Sequence, residues 1–270
     1  MKSEKPYRDY DTFYQQYIIE NKSLSELSDY WGNSLSTLHR WRKKHNIPKY
    51  KGFTDKQKEV ITGLLMGDGS INRNLNGNPR LEVGSIKEDY LHYLNNDIFP
   101  TLGKNVRLNT TAEQAAKNNR QTGFSPNADK DNYSDIYQWY TESNPNLQQF
   151  SSWYSSVGKV WPEEIDLTPT VLKHWYCGDG TYMNFENNKQ IKIHMSNERY
   201  NYEKISNYFK SADLPIPNYH TSEYKVEHLS DYEDKMWAQF TIADSERLWK
   251  YMGEPLPGFE YKWPEEYRKV

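Results

Sequence analysis

A chain of 270 residues is long enough for one large domain or a pair of smaller ones, and 36% hydrophobic with 15% aromatic residues excludes a disordered polymer. The single cysteine, Cys177, excludes an internal disulfide framework, and no apolar run reaches membrane-spanning length. The net charge of -3 is unevenly placed: residues 1–51 carry ten Lys/Arg against six Asp/Glu, a balance of +4, which leaves 24 against 31, or -7, for the remainder. A basic end on an acidic body points to a polyanionic partner for that end. Mean hydropathy is low at -1.04, but 23 Tyr and 9 Trp bury area while keeping a polar tip for a wet binding face. No charged leader opens the chain, so an intracellular setting is expected, cytoplasmic, nucleoid-associated or organellar.

In chain order, residues 8–47 form a predicted helical unit. Phe13, Tyr14, Tyr17 and Ile18 recur at helical spacing, and Ser23 with Glu26 has the spacing of a capping box. A short helix carrying Leu24, Leu27 and Tyr30 is broken by Gly32-Asn33. The next, over 34–45, sets Leu35, Leu38 and Trp41 on one face and Arg40, Arg42, Lys43 and Lys44 around the other. Helix, glycine turn, basic helix resembles a helix-turn-helix domain of DNA-binding regulators and recombinases. That resemblance puts Ser36, Thr37, His39 and Arg40 at the groove-facing start of the recognition helix and Arg42, Lys43 and Lys44 on phosphates. A solvated basic helix in a three-helix scaffold is the competing reading.

Residues 48–53 form a cationic linker punctuated by Pro48 and Gly52. A helix is then predicted from Thr54 through Val60, Ile61, Leu64 and Leu65, ending at Gly67-Asp68-Gly69. Strands follow at 70–73 and 80–85 around an Asn-Gly-Asn-Pro turn, a helix at 88–99, strands at 106–110 and 136–141, and a helix at 146–156. The polar stretch 111–134 is expected to be a loop or insertion. The order then repeats: a helix ending at Asp179, strands near 181–185 and 189–195, a helix at 202–211, strands near 224–228 and 236–242, and a helix at 245–252. A repeat of 111 residues, from Asp68 to Asp179, means two pseudo-symmetric halves rather than a solenoid.

The two ends share a phrase: Ile61 to Gly69 reads I-T-G-L-L-M-G-D-G and Leu172 to Gly180 reads L-K-H-W-Y-C-G-D-G. An acid at a helix C-terminus opposes the macrodipole, so the position is unfavourable without a compensating cation. With R-L-E-V-G-S-I-K-E-D-Y-L at 80–91, G-K-V-W-P at 158–162 and F-E-Y-K-W at 259–263, residues 54–265 resemble the LAGLIDADG homing endonucleases of the single-chain, two-motif type. The second motif departs from the family's small residues at the helix crossing, offering Lys173, His174 and Trp175 where the first has Gly63 and Gly67.

The resemblance implies an α/β (α+β) fold, pseudo-twofold and duplicated, with two antiparallel DNA-binding saddles, preceded by the small all-α helix-turn-helix domain. Its units are 1–47, the linker 48–53, a first half 54–160 and a second half 161–270. It also implies that Asp68 and Asp179 hold Mg²⁺, or another divalent cation such as Mn²⁺, joined by the free carbonyls of Gly67 and Gly178 at the helix ends. Lys159 and Lys262 match the family's basic residues near each scissile phosphate. Strand alternation nominates Asn72, Arg73, Asn74, Arg80, Glu82 and Ser85, and Lys189, Lys192, His194 and Ser196, for reading bases, with solvent-facing filler as the alternative at each. The implied activity is metal-dependent double-strand cleavage of a long asymmetric DNA site, leaving short 3′ overhangs, by a monomer. No splicing junction marks the ends, so an intron-encoded or free-standing protein is expected. An RNA maturase, or a regulator that kept the fold and lost the activity, are the rivals.

Overall fold

The computed structural model describes residues 5–20, 22–49, 52–72, 77–122, 125–155, 158–186, 188–195, 201–225 and 232–268. The N-terminal unit is built from α1 (Tyr10–Tyr14), which runs on into a π turn over Gln15–Ile19, α2 (Leu24–Trp31) and α3 (Leu35–Lys44). Ser23 and Glu26 satisfy each other's backbone in a capping box, and Ser34 caps α3. Gly32, at φ 62°, adopts the left-handed conformation that ends α2. Phe13, Leu27 and Leu38 are fully buried at the centre, with Tyr7, Tyr17 and Ile47 around them. Leu35 departs from the expected face: at the first position of α3 it lies beyond this small core and is 43% exposed.

The body has the same order twice. In the first half, α4 (Asp55–Met66) leads into β1 (Gly69–Asn72), β2 (Arg80–Ser85), α5 (Glu88–Tyr93), β3 (Arg107–Thr110), α6 (Ala112–Gln121) and β4 (Ile136–Tyr140), the strands pairing in the order β1-β2-β4-β3. A two-stranded ribbon, β5 (Tyr154–Ser155) with β6 (Gly158–Lys159), closes it. In the second, α7 (Pro169–Asp179) leads into β7 (Gly180–Phe185), β8 (Asn188–His194), α8 (Tyr202–Ser211), β9 (Asn218–Lys225), β10 (Tyr232–Gln239) and α9 (Ile242–Met252), paired β7-β8-β10-β9. Equal strand order in antiparallel sheets gives the mixed α and β duplication that the repeated phrase predicts. Both halves feed one continuous core, whereas the N-terminal unit keeps a core of its own.

The two phrase helices form the centre of that core. Val60, Ile61, Leu64, Leu65 and Met66 on α4, and Val171, Leu172, Trp175, Tyr176 and Cys177 on α7, are buried around the helix circumference, as expected of helices enclosed on all sides. The crossing depends on Gly63: a Cβ there would stand 2.5 Å from Val171 O and 2.7 Å from His174 Cβ. The mismatch expected at His174 is resolved by an exchange of size, the His174 Cβ taking the space that a side chain at position 63 would need. The imidazole Nδ1 lies 2.6 Å from the Tyr90 hydroxyl, and its ring stacks on Tyr93. Burial is the main reason its pKa falls to about 3, so it packs as a neutral group.

Four segments differ from the sequence reading. One is β10, which spans Tyr232–Gln239 rather than the expected 236–242; Ile242 is the first residue of α9, which Thr241 caps. The expected loop 111–134 contains α6, capped by Thr111, whose hydroxyl accepts from Gln114 N; alanines at 112, 115 and 116 supply propensity, with Ala116 buried. The helix expected at 146–156 is a 3₁₀ run, Pro145–Trp153, followed by β5. Its buried residues Leu147, Phe150 and Trp153 recur every third position, the 3₁₀ period. Finally, β9 begins at Asn218 rather than near 224; as an edge strand of polar residues it lacks the alternation that reveals its neighbours.

Candidate functional site

The phrase helices end side by side. Asp68 lies in the turn after α4, and Asp179 is the last residue of α7. Each glycine faces the opposite acid: a Cβ built on Gly178 would lie 3.1 Å from Asp68 N and 3.4 Å from Asp68 Oδ2, and one on Gly67 would lie 3.5 Å from Gly178 Cα and 3.8 Å from Asp179 Oδ2. The absence of side chains at these two positions is what brings the acids together. Asp68 is open to solvent by surface area, yet protein packed around its carboxyl raises its pKa; Lys262 and Lys159 pull the other way without winning.

The lysines belong to the same junction. Lys262, in a 3₁₀ turn (Glu260–Lys262), is 7% exposed and donates to Cys177 O at 2.6 Å, Gly178 O at 3.3 Å and Tyr176 O at 3.4 Å. It thereby caps the C-terminus of α7, where free carbonyls and the helix dipole favour a cation. Burial lowers its pKa. Lys159, on β6, donates to Gly67 O at 3.1 Å and plays the matching part for α4. Its ribbon is tied down by Tyr154, whose hydroxyl accepts from Ile71 N at 3.0 Å.

The donor set bears on a metal. Asp68 and Asp179 offer hard carboxylate oxygens, which fit Mg²⁺ with its preference for carboxylate, water and phosphate oxygen. The carbonyls of Gly67 and Gly178 fit less well than expected, because each already accepts from an ammonium group. Among the described residues, no group of three or more His, Cys, Asp or Glu forms a metal cluster. The fit therefore rests on the two carboxylates.

On the outward face of the first sheet, Asn72 pairs with Arg80 and Ser70 with Glu82. Glu82 accepts from Asn72 Nδ2 at 3.2 Å and bridges Arg80, whose guanidinium also lies over the Tyr140 ring. Ser85 is a correction: its parity is that of the buried Leu81 and Val83, and its hydroxyl accepts from Lys87 N at 3.0 Å. In the second sheet Lys192 and His194 share the outward face, Lys192 standing 4.1 Å from the Trp237 ring, which stacks on His220. Lys189 is likewise corrected: one residue out of phase, it shares the parity of the core residues Ile191 and Ile193 and is pinned to Glu266 at 2.7 Å. Gln138, Tyr140 and Arg107 on the first face, and Gln190, Trp237 and Gln239 on the second, share these faces and were missed, although period-two alternation back from Lys192 and His194 would have found Gln190. Arg73, Asn74 and Ser196 lie outside the described residues.

In the N-terminal unit, Arg40, Lys43 and Lys44 are exposed, and Ser36 and Thr37 cluster with the Ser34 hydroxyl at the start of α3. Arg42 is a correction, for it is buried and donates to Ile47 O at 2.7 Å, closing the end of α3 rather than facing outward. His39, though exposed, lines a cavity whose walls include Tyr17 and Arg42 of this unit and Thr101, Leu102 and Asn144 of the first half.

Comparison with known proteins bears on the fold and the family. The chain is 25% identical over 191 residues to the uncharacterized protein MJ1098 of Methanocaldococcus jannaschii, covering 67% of this chain and 69% of that one. Its fold is similar to that of the homing endonuclease I-WcaI, solved bound to its DNA recognition sequence, with a TM-score of 0.62, 15% identity and coverage of 86% of this chain and 93% of that one. The LAGLIDADG DNA endonuclease family matches residues 58–216, and the chain belongs to that family.

Proposed function

We propose that the protein is a site-specific DNA endonuclease that hydrolyses one phosphodiester in each strand of a long asymmetric duplex with the help of divalent metal. One observation carries this reading: two acids, one from each half of a duplicated fold, meet across glycines at the root of two outward-facing sheets. A duplicated scaffold with one acid per half offers one carboxylate to each strand of a duplex whose own backbones are related by a twofold. Asp68 and Asp179 would hold the metal, which when bound supplies Lewis acidity to the phosphate and to the attacking water.

The chain's own residues do the rest. Lys159 and Lys262 hold the helix ends in register and place fixed positive charge beside each acid, where negative charge develops on the phosphate in the transition state. The outward faces carry mixed polar, cationic and aromatic groups at alternating positions, suited to base edges in a major groove. The N-terminal unit adds affinity through Arg40, Lys43 and Lys44 and extends the contacted length by effective concentration rather than chemistry.

The test uses genomic DNA that joins the two flanks of the coding segment, incubated with the protein and Mg²⁺. The wild type is expected to cut both strands, and Asp68→Asn and Asp179→Asn to cut neither fully. Undiminished cleavage by both variants would refute the site; binding of this DNA without any cleavage would favour a DNA-binding regulator.

A further inference from the structure

Beside Asp179 lies a hollow walled by Thr181, Tyr182, His194, Tyr261 and Lys262. His194 reaches it because of register: Ile193 pairs with Gly180, so the next residue of β8 arrives opposite Asp179. The same count in the first half gives a different result. Val83 pairs with Gly69, and the residue that arrives opposite Asp68 is Gly84. A Cβ at Gly84 would meet nothing closer than Tyr137 O at 3.9 Å, so the space that an imidazole occupies in one half is open in the other.

Resting on the endonuclease reading, we infer that the two cleavage sites are chemically unequal: His194 orients the attacking water for the strand cut beside Asp179, whereas beside Asp68 the matching strand position, among the described residues, offers only Gly84. A ring nitrogen of an imidazole walling this hollow can accept from a water O–H held beside Asp179. In the step itself the water oxygen bonds to phosphorus as the P–O3′ bond breaks. The proton lost by the water goes to solvent, which protonates the departing 3′ oxygen. His194 sets direction and takes no permanent part in that balance.

The experiment follows each strand separately. A duplex carrying the wild-type cleavage site is labelled on one strand or the other and cut in single turnover with Mg²⁺ by wild type, His194→Ala and His194→Gln, with duplex affinity measured in Ca²⁺. His194→Ala is expected to slow one strand about a hundredfold, the scale of a misdirected attack, and to leave the other within about threefold. Nicked duplex then accumulates. His194→Gln, which keeps an acceptor, is expected to fall between the two. Equal slowing of both strands, as loss of a base contact would give, or no slowing of either, overturns the inference. If the wild type cuts neither strand, the endonuclease reading itself has failed.

Discussion

At the scale of single residues, Asp68 shows how the site spends stability. Its carboxyl ionises less readily in the folded chain than in the unfolded one, chiefly through burial, against the pull of Lys262 and Lys159. The native state therefore binds the proton more tightly, and above the ordinary carboxylate value of 3.8 stability declines as pH rises through the raised folded value. Asp68→Asn removes that cost. In EDTA at neutral pH the variant is expected to melt at a higher temperature than the wild type, with the gain vanishing in acid below the ordinary value, while cleavage is lost. A variant equally or less stable at neutral pH would show that the lysines already compensate the acid. If the two acids hold Mg²⁺ as proposed, adding it stabilises the wild type more than the variant and should narrow the gap between the two proteins.

At the scale of elements, the crossing of α4 and α7 sets the distance between the acids. Gly63→Ala gains about 1 kcal/mol of helix propensity, but the added methyl meets Val171 O at 2.5 Å and His174 Cβ at 2.7 Å. A backbone oxygen cannot move without shifting α7, and overpacking of this kind costs about 1–3 kcal/mol. The expected outcome is net destabilisation in urea unfolding together with slower cleavage, since the helix ends separate with the crossing. These elements were legible because an apolar run ending in Gly-Asp-Gly occurs twice, each time before a hairpin. The compensation of Gly63 by His174 was not, because it depends on which faces meet, and a lone sequence does not contain that distance. Arg42 was misjudged for a related reason: a basic residue beside Lys43 and Lys44 looks solvated until the chain turns back and gives it Ile47 O. Ser85 and Lys189 illustrate a one-residue error of phase, which in a strand moves a side chain to the opposite face.

At the scale of the whole molecule, charge has a direction. The groove at the far ends of α4 and α7 is lined by three acids, Glu59, Glu164 and Asp166, against one cation, Lys58, while Lys159 and Lys262 gather at the ends that carry Asp68 and Asp179. The -7 balance of residues 52–270 is thus compatible with a polyanion on the sheet side, and the +4 balance of residues 1–51 adds a second cationic region on a separate core. Removing residues 1–51 leaves the main core intact, since the two clusters are distinct. The truncated protein is expected to bind the target more weakly, to protect a shorter stretch in footprinting, and to lose less affinity as salt rises. Cutting should persist at high protein concentration. A full-length chain with Arg40→Gln, Lys43→Gln and Lys44→Gln separates charge from bulk: each lost phosphate contact should reduce the slope of log affinity against log salt by about 0.9. If the slope and footprint stay at wild-type values in both proteins, α3 is a scaffold helix whose cations face only water, and the recognised site ends with the two sheets.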